Sequence, residues 1–86
     1  MQTETNTTRV AVISIIVEDP ACVGEINAIL HDAAGHIIGR MGIPYREKNI
    51  SIISVVVDAD LNAINNISGK LGRVPGATVK TAYSKK

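Results

Sequence analysis

Two stretches of this chain, R-V-A-V-I-S-I-I-V from Arg9 to Val17 and I-S-I-I-S-V-V-V-D from Ile50 to Asp58, consist almost wholly of Val, Ile, Ala and Ser. Residues branched at Cβ lose side-chain freedom in a helix and pack well on a pleated surface, so both runs are expected to be strands. Neither alternates cleanly between apolar and polar. Strands of that kind belong in the middle of a sheet, and the first is expected to be buried on both faces. The rest of an 86-residue chain must be arranged around them.

Between them lie signals for a helix and a further strand. Asp19-Pro20 is a helix start, because the Asp oxygen can accept free first-turn amides and Pro at the first helical position has no N–H to leave unpaired. On a helical wheel Cys22, Val23, Ile26, Ile29, Leu30, Ala33 and Ala34 share an arc, opposite Gly24, Asn27, Ala28 and His31. Gly35 is expected to close this helix as a left-handed cap. His36 to Ile43 then reads as a strand with Ile37, Gly39, Met41 and Ile43 on one side and Ile38, Arg40 and Gly42 on the other. Pro44 to Asn49 makes a short hairpin connection to Ile50. Downstream, Asp60 caps a second helix with Leu61, Ile64, Ile67 and Leu71 on one face, Lys70 near its negative end, and Gly72 as its stop. Pro75-Gly76 suits the centre of a type II turn, and Ala77 to Tyr83 alternates as a fourth strand.

The order β-α-β-β-α-β, with right-handed crossovers, predicts an α+β fold: a ferredoxin-like sandwich of a four-stranded antiparallel sheet with two helices on one face. The two unalternating strands take the centre. The edge strands carry Arg40 and Lys80, expected on the face away from the helices. Helices cover only one face. With Ala11, Ile13, Ile15 and Val17 turned to them alongside Ile53, Val55 and Val57, the residues turned away are Val10, Val12, Ser14, Ile16, Ile50, Ile52, Ser54 and Val56. Six of these eight are aliphatic. An exposed patch of that extent marks an interface, so a homo-oligomer covering this face is expected. Ser14 and Ser54 fall near its middle, where small polar side chains permit close sheet approach or line an enclosed site.

Length allows one domain, residues 9–86, behind a loose polar tail at 1–8. Nine Lys and Arg against eight acids give a formal charge of +1, too little to draw in nucleic acid or acidic lipid. No apolar run approaches the roughly 20 residues of a membrane span, and the start lacks the features of a signal peptide, so a cytoplasmic location is expected. The one cysteine allows neither an internal disulfide nor a multi-thiolate site, and no metal or cofactor is expected. There is no Gly-rich phosphate loop, no nucleophile elbow and no His flanked by acid and nucleophile, which argues against an enzyme.

The candidate site residues each have a structural and a functional reading. Cys22 sits in a first helical turn, where the dipole favours a thiolate, but it lies on the apolar arc as a packed small hydrophobe. Neither His31, on the opposite side, nor His36, at the far end, can share a metal with it in one subunit. Asp58 and Asp60 are near each other, yet capping accounts for Asp60. Gly39 and Gly42 flank Arg40-Met41 on an edge strand, leaving room for a ligand or a partner backbone, or marking a bulge. Arg40, Arg46 and Lys48 form either a cationic patch for an anionic effector or solvated edge charges.

Three stretches, I-I-V-E-D (Ile15 to Asp19), H-I-I-G-R-M-G-I-P-Y-R (His36 to Arg46) and G-K-L-G-R-V-P-G-A-T-V-K-T-A-Y-S (Gly69 to Ser84), resemble the small ACT-like proteins called iron-only hydrogenase system regulators. The likeness spans Arg9 to Ser84, and G-R-M-G-I-P is its most specific part. It implies an ACT-like fold, self-association, and regulation near hydrogenase production in anaerobic bacteria. Its partners would be a second copy of the chain, a small-molecule effector or a hydrogenase-related protein. Accessory work in hydrogenase maturation, or metal or redox sensing with Cys22 between subunits, are the alternatives. ACT domains in general follow the first strand with a pattern like D-x-P-G and hold amino-acid effectors at that turn and at a subunit interface. Asp19-Pro20-Ala21 lacks the glycine, and the Cβ of Ala21 restricts close backbone approach there. The related nickel-responsive regulator domain uses several His and a Cys, more than this chain supplies.

Overall fold

Arg9–Val17 (β1) and Ile50–Ala59 (β3) run antiparallel at the centre of the sheet, in a register that sets Ser14 opposite Ser54 and Ile16 opposite Ile52. Ile37–Tyr45 (β2) pairs with β3 on one side and Ala77–Tyr83 (β4) with β1 on the other, giving the order β2-β3-β1-β4 with every pairing antiparallel. Two helices, Val23–Asp32 (α1) and Leu61–Gly72 (α2), complete the α+β fold. The computed structural model describes residues 7–86; most of the tail expected at 1–8 lies outside the described residues.

Antiparallel partners share a face, so the register separates the side chains of the central strands into two sets. Ala11, Ile13, Ile15 and Val17 from β1 and Ile53, Val55, Val57 and Ala59 from β3 are buried with Ile26 and Leu30 of α1 and Ile64, Ile67 and Leu71 of α2. Both helices therefore cover the same face. Within the described residues β1 is buried on that face only, not on both, because none of them forms a second layer over the other.

The helix ends show which local signals held. Asp19 Oδ1 accepts the Ala21 amide at 3.0 Å, but the segment it caps is a 3-10 turn, Pro20–Cys22, before α1 begins. Asp60 Oδ1 accepts the Ala63 amide at 2.8 Å and caps α2 directly. Gly35 is not left-handed; a 3-10 turn over Ala34–His36 carries the chain from α1 into β2, with the His36 amide donating to Ala33 O. Ala34 and Leu61 are exposed despite their wheel positions, Ala34 in the turn after α1 and Leu61 at the first residue of α2. Gly76 has φ +90°, as the third residue of a type II turn requires.

Strand β2 departs most from its sequence pattern. A bulge between Ile37 and Gly39 sets Ile37 opposite Val57 but Gly39 opposite Val56, so the alternation changes phase. Gly39, Met41, Ile43 and Tyr45 consequently share the open face with Val56, Ser54, Ile52 and Ile50, while Ile37 points to the helices. Arg40, opposite the buried Val55, also lies on the helix side, not on the face away from the helices. Lys80 is opposite Ser14, on the open face as expected.

Candidate functional site

The uncovered side of the sheet gathers side chains from all four strands into rows. Across the middle run Met41, Ser54, Ser14 and Lys80. One flanking row is Ile43, Ile52, Ile16 and Thr78; the other is Gly39, Val56, Val12 and Ala82. Val10 and Ile50 extend the apolar surface at its two ends. Of the eight large apolar side chains exposed among the described residues, Ile16, Met41, Ile43, Tyr45 and Ile52 project from this face. The rim is charged in both signs: Lys80 on β4, Asp58 opposite Val10, and Glu18, whose carboxylate accepts the Thr78 hydroxyl at 2.9 Å.

The site residues singled out in the sequence fall in three places. Ser14, Ser54, Gly39 and Met41 join Val10, Val12, Ile16, Ile50, Ile52 and Val56 on the open face. Arg40 and Gly42 are on the other side of β2, facing α1, and the Arg40 guanidinium donates to Asn27 Oδ1 at 3.2 Å. Asp19, Ala21 and Cys22 form the β1–α1 turn. Met41 is therefore parted from Arg40 and Gly42 by the sheet itself. Ile43 and Tyr45 were missed as members of the open face: the bulge hides the phase of β2, and Tyr45 lies past the expected strand end.

At the β1–α1 turn, Cys22 is 7% exposed and packs in the core with Ile26 and Val74. Replacing it by Ala removes one buried sulfur from a site at the edge of the core. The expected loss of stability, read by thermal or urea unfolding, is below about 1.5 kcal/mol. A larger loss, or a change of oligomeric state, would contradict a packing role. Among the described residues no group of three or more His, Cys, Asp or Glu is placed to hold a metal ion.

Gly39 gives a separate handle on the open face. A Cβ built there meets nothing within 4 Å, so Gly39→Val fits the isolated subunit and changes only what can approach it. Gly39→Val is expected to weaken self-association at least about tenfold in sedimentation equilibrium, while Ala28→Val on the exposed side of α1 leaves it unchanged. Equal effects from both would remove the case for contact at this strand.

A four-stranded antiparallel sheet with helices on one side and an aliphatic, uncovered face on the other defines a small ferredoxin-like module of the ACT-like kind. The chain belongs to the TM1266-like family, described as "Iron-only hydrogenase system regulator, putative", whose model matches residues 9–81. It is similar to the solved structure of protein TM1266 from Thermotoga maritima, with 35% identity and a TM-score of 0.87 over 92% of this chain and 100% of that one. The C-terminal domain of the MgtC protein from Mycobacterium tuberculosis shares the fold at 13% identity, with a TM-score of 0.67 over 96% of this chain and 95% of that one. No curated protein matches the chain. No helix among the described residues is long and apolar enough to cross a membrane.

Proposed function

We propose that residues 9–86 act as one non-catalytic regulatory module of an iron-only hydrogenase system, working as a homo-oligomer joined through the open face of the sheet. The family description, a regulator, supports the regulatory part. The observation that carries the oligomer is the aliphatic open face, where five large apolar side chains are exposed side by side. Contiguous apolar area of this kind is disfavoured in water, and since these side chains are already partly buried in the lone subunit, covering each gains roughly half of the about 1.5 to 3 kcal/mol of a fully exposed one. A second copy is the occupant we infer, because the rim carries both signs, Lys80 against Glu18 and Asp58, as a contact between identical surfaces needs.

A hydrogenase-related protein or a small effector would then act on the oligomer rather than on the lone subunit. Metal or redox sensing by Cys22 between subunits is the weaker reading, since the thiol is enclosed in the core of its own subunit on the helix side of the sheet. Light scattering coupled to size exclusion tests association directly. The wild-type chain is expected to elute as a dimer or larger at tens of micromolar, and a monomer at that concentration would overturn the reading.

A further inference from the structure

The helix side of the sheet is finished differently at its two edges. At β4, polar pairs seal the strand to α2: Tyr83 donates to Asn65 Oδ1 at 2.6 Å, and the Ser68 and Thr81 hydroxyls are 2.7 Å apart. At β2, α1 stands off and leaves a groove. It consists of three clefts of about 120, 230 and 360 Å³; the first two share Val23, Pro44 and Ser51, and the last two share Asn27 and Arg40.

The charge of this groove is unlike that of the chain. Among the described residues no carboxylate lines any of the three clefts, whereas Arg40, Arg46 and His31 do. Arg40 stands where the two larger clefts meet. Among the described residues its one hydrogen bond is to the neutral Asn27 amide, which holds the guanidinium without neutralising it and leaves most of its five N–H donors for a ligand. A planar guanidinium with free donors matches a carboxylate bidentately. The walls on either side are apolar, Val23 and Pro44 in one cleft and Leu30 and Ile37 in the other. Gly42 forms part of the floor, and a Cβ there would meet nothing within 4 Å.

We propose that this groove binds a small aliphatic monocarboxylate, with its carboxylate on Arg40 and its carbon chain over Gly42 between Val23 and Pro44. Arg40 flanked by apolar side chains calls for a carboxylate carried on an apolar body; inorganic phosphate is an anion and lacks the body. Arg40 and Gly42 lie across the sheet from the open face, while Ile43 and Ile52 belong both to the middle cleft and to that face.

Amide chemical shifts of the full ¹⁵N-labelled chain, titrated with acetate, butyrate and hexanoate at matched ionic strength, test it. Saturable shifts are expected at Asn27 and along residues 39–43, tightening with chain length to a Kd on the order of 1 mM for hexanoate. Arg40→Gln removes the anion's partner and Gly42→Val fills the floor. Each is expected to weaken hexanoate at least about tenfold with the spectrum of a folded chain retained. Arg73→Gln, at the end of α2, is expected to change nothing. Shifts that never saturate, that survive in Arg40→Gln, or that inorganic phosphate reproduces would overturn the proposal.

Discussion

Gly76→Ala is expected to lower the thermal midpoint of this protein by roughly 15 °C, a loss of about 3 kcal/mol in a chain of this size. Two costs add at this position. The residue has φ +90°, where an L side chain is strained by about 1 to 2 kcal/mol. Its new Cβ would lie 2.7 Å from the Asp19 Cβ, closer than such atoms come, and Asp19 cannot turn a Cβ aside. The two chains must part, with an overpacking cost of about 1 to 3 kcal/mol. The contact also matters because Gly76 O accepts the amides of Glu18 at 2.8 Å and Asp19 at 3.1 Å, tying the β1–α1 turn to the turn before β4. Gly42→Ala, with open space above it and no positive φ, is the control and is expected to change the midpoint by only a few degrees. Matching midpoints for the two variants would show that the turn yields without cost.

Ile52→Asp is expected to give a folded monomer. Ile52 lies between Ile43 and Ile16 in an apolar row of the open face and is 36% exposed in the lone subunit, so the carboxylate reaches water there and the core is untouched. In a face-to-face dimer related by a twofold axis the change counts twice. Because Ile52 is only 36% exposed in the lone subunit, the burial lost in the two copies is about a third of the roughly 1.5 to 3 kcal/mol of a fully exposed side chain for each, and raises the dissociation constant roughly tenfold. Enclosing two unpaired carboxylates adds several kcal/mol more for each. Size exclusion with light scattering reads the mass and far-ultraviolet circular dichroism reads the fold. A variant as associated as wild type would remove the open face from the interface, and an unfolded variant would show that Ile52 belongs to the core.

Periodicity within single strands and chemistry at helix starts determined most of the fold before any contact was known. The alternation along β1 and β3 separates Ile13 and Val55 from Val12 and Val56, and the separation survives folding because the period of two is a property of each strand alone. The caps at Asp19 and Asp60 and the turn at Gly76 are equally local, since each needs only a neighbouring amide or an unusual φ. The aliphatic open face was readable for the same reason.

Tertiary structure alone decided β2 and what lies beside it. Gly39 left a bulge open as one of two readings, but whether and where the strand carries an extra residue depends on its partner, and the bulge forms between Ile37 and Gly39 against Val57 and Val56. That one residue moved Arg40 to the helix side and brought Ile43 and Tyr45 into the open face with Met41. The groove between α1 and β2 was illegible for a further reason. It exists because α2 seals its strand and α1 stands off from its own, a difference in how two helices seat on a twisted sheet that neither helix sequence encodes by itself.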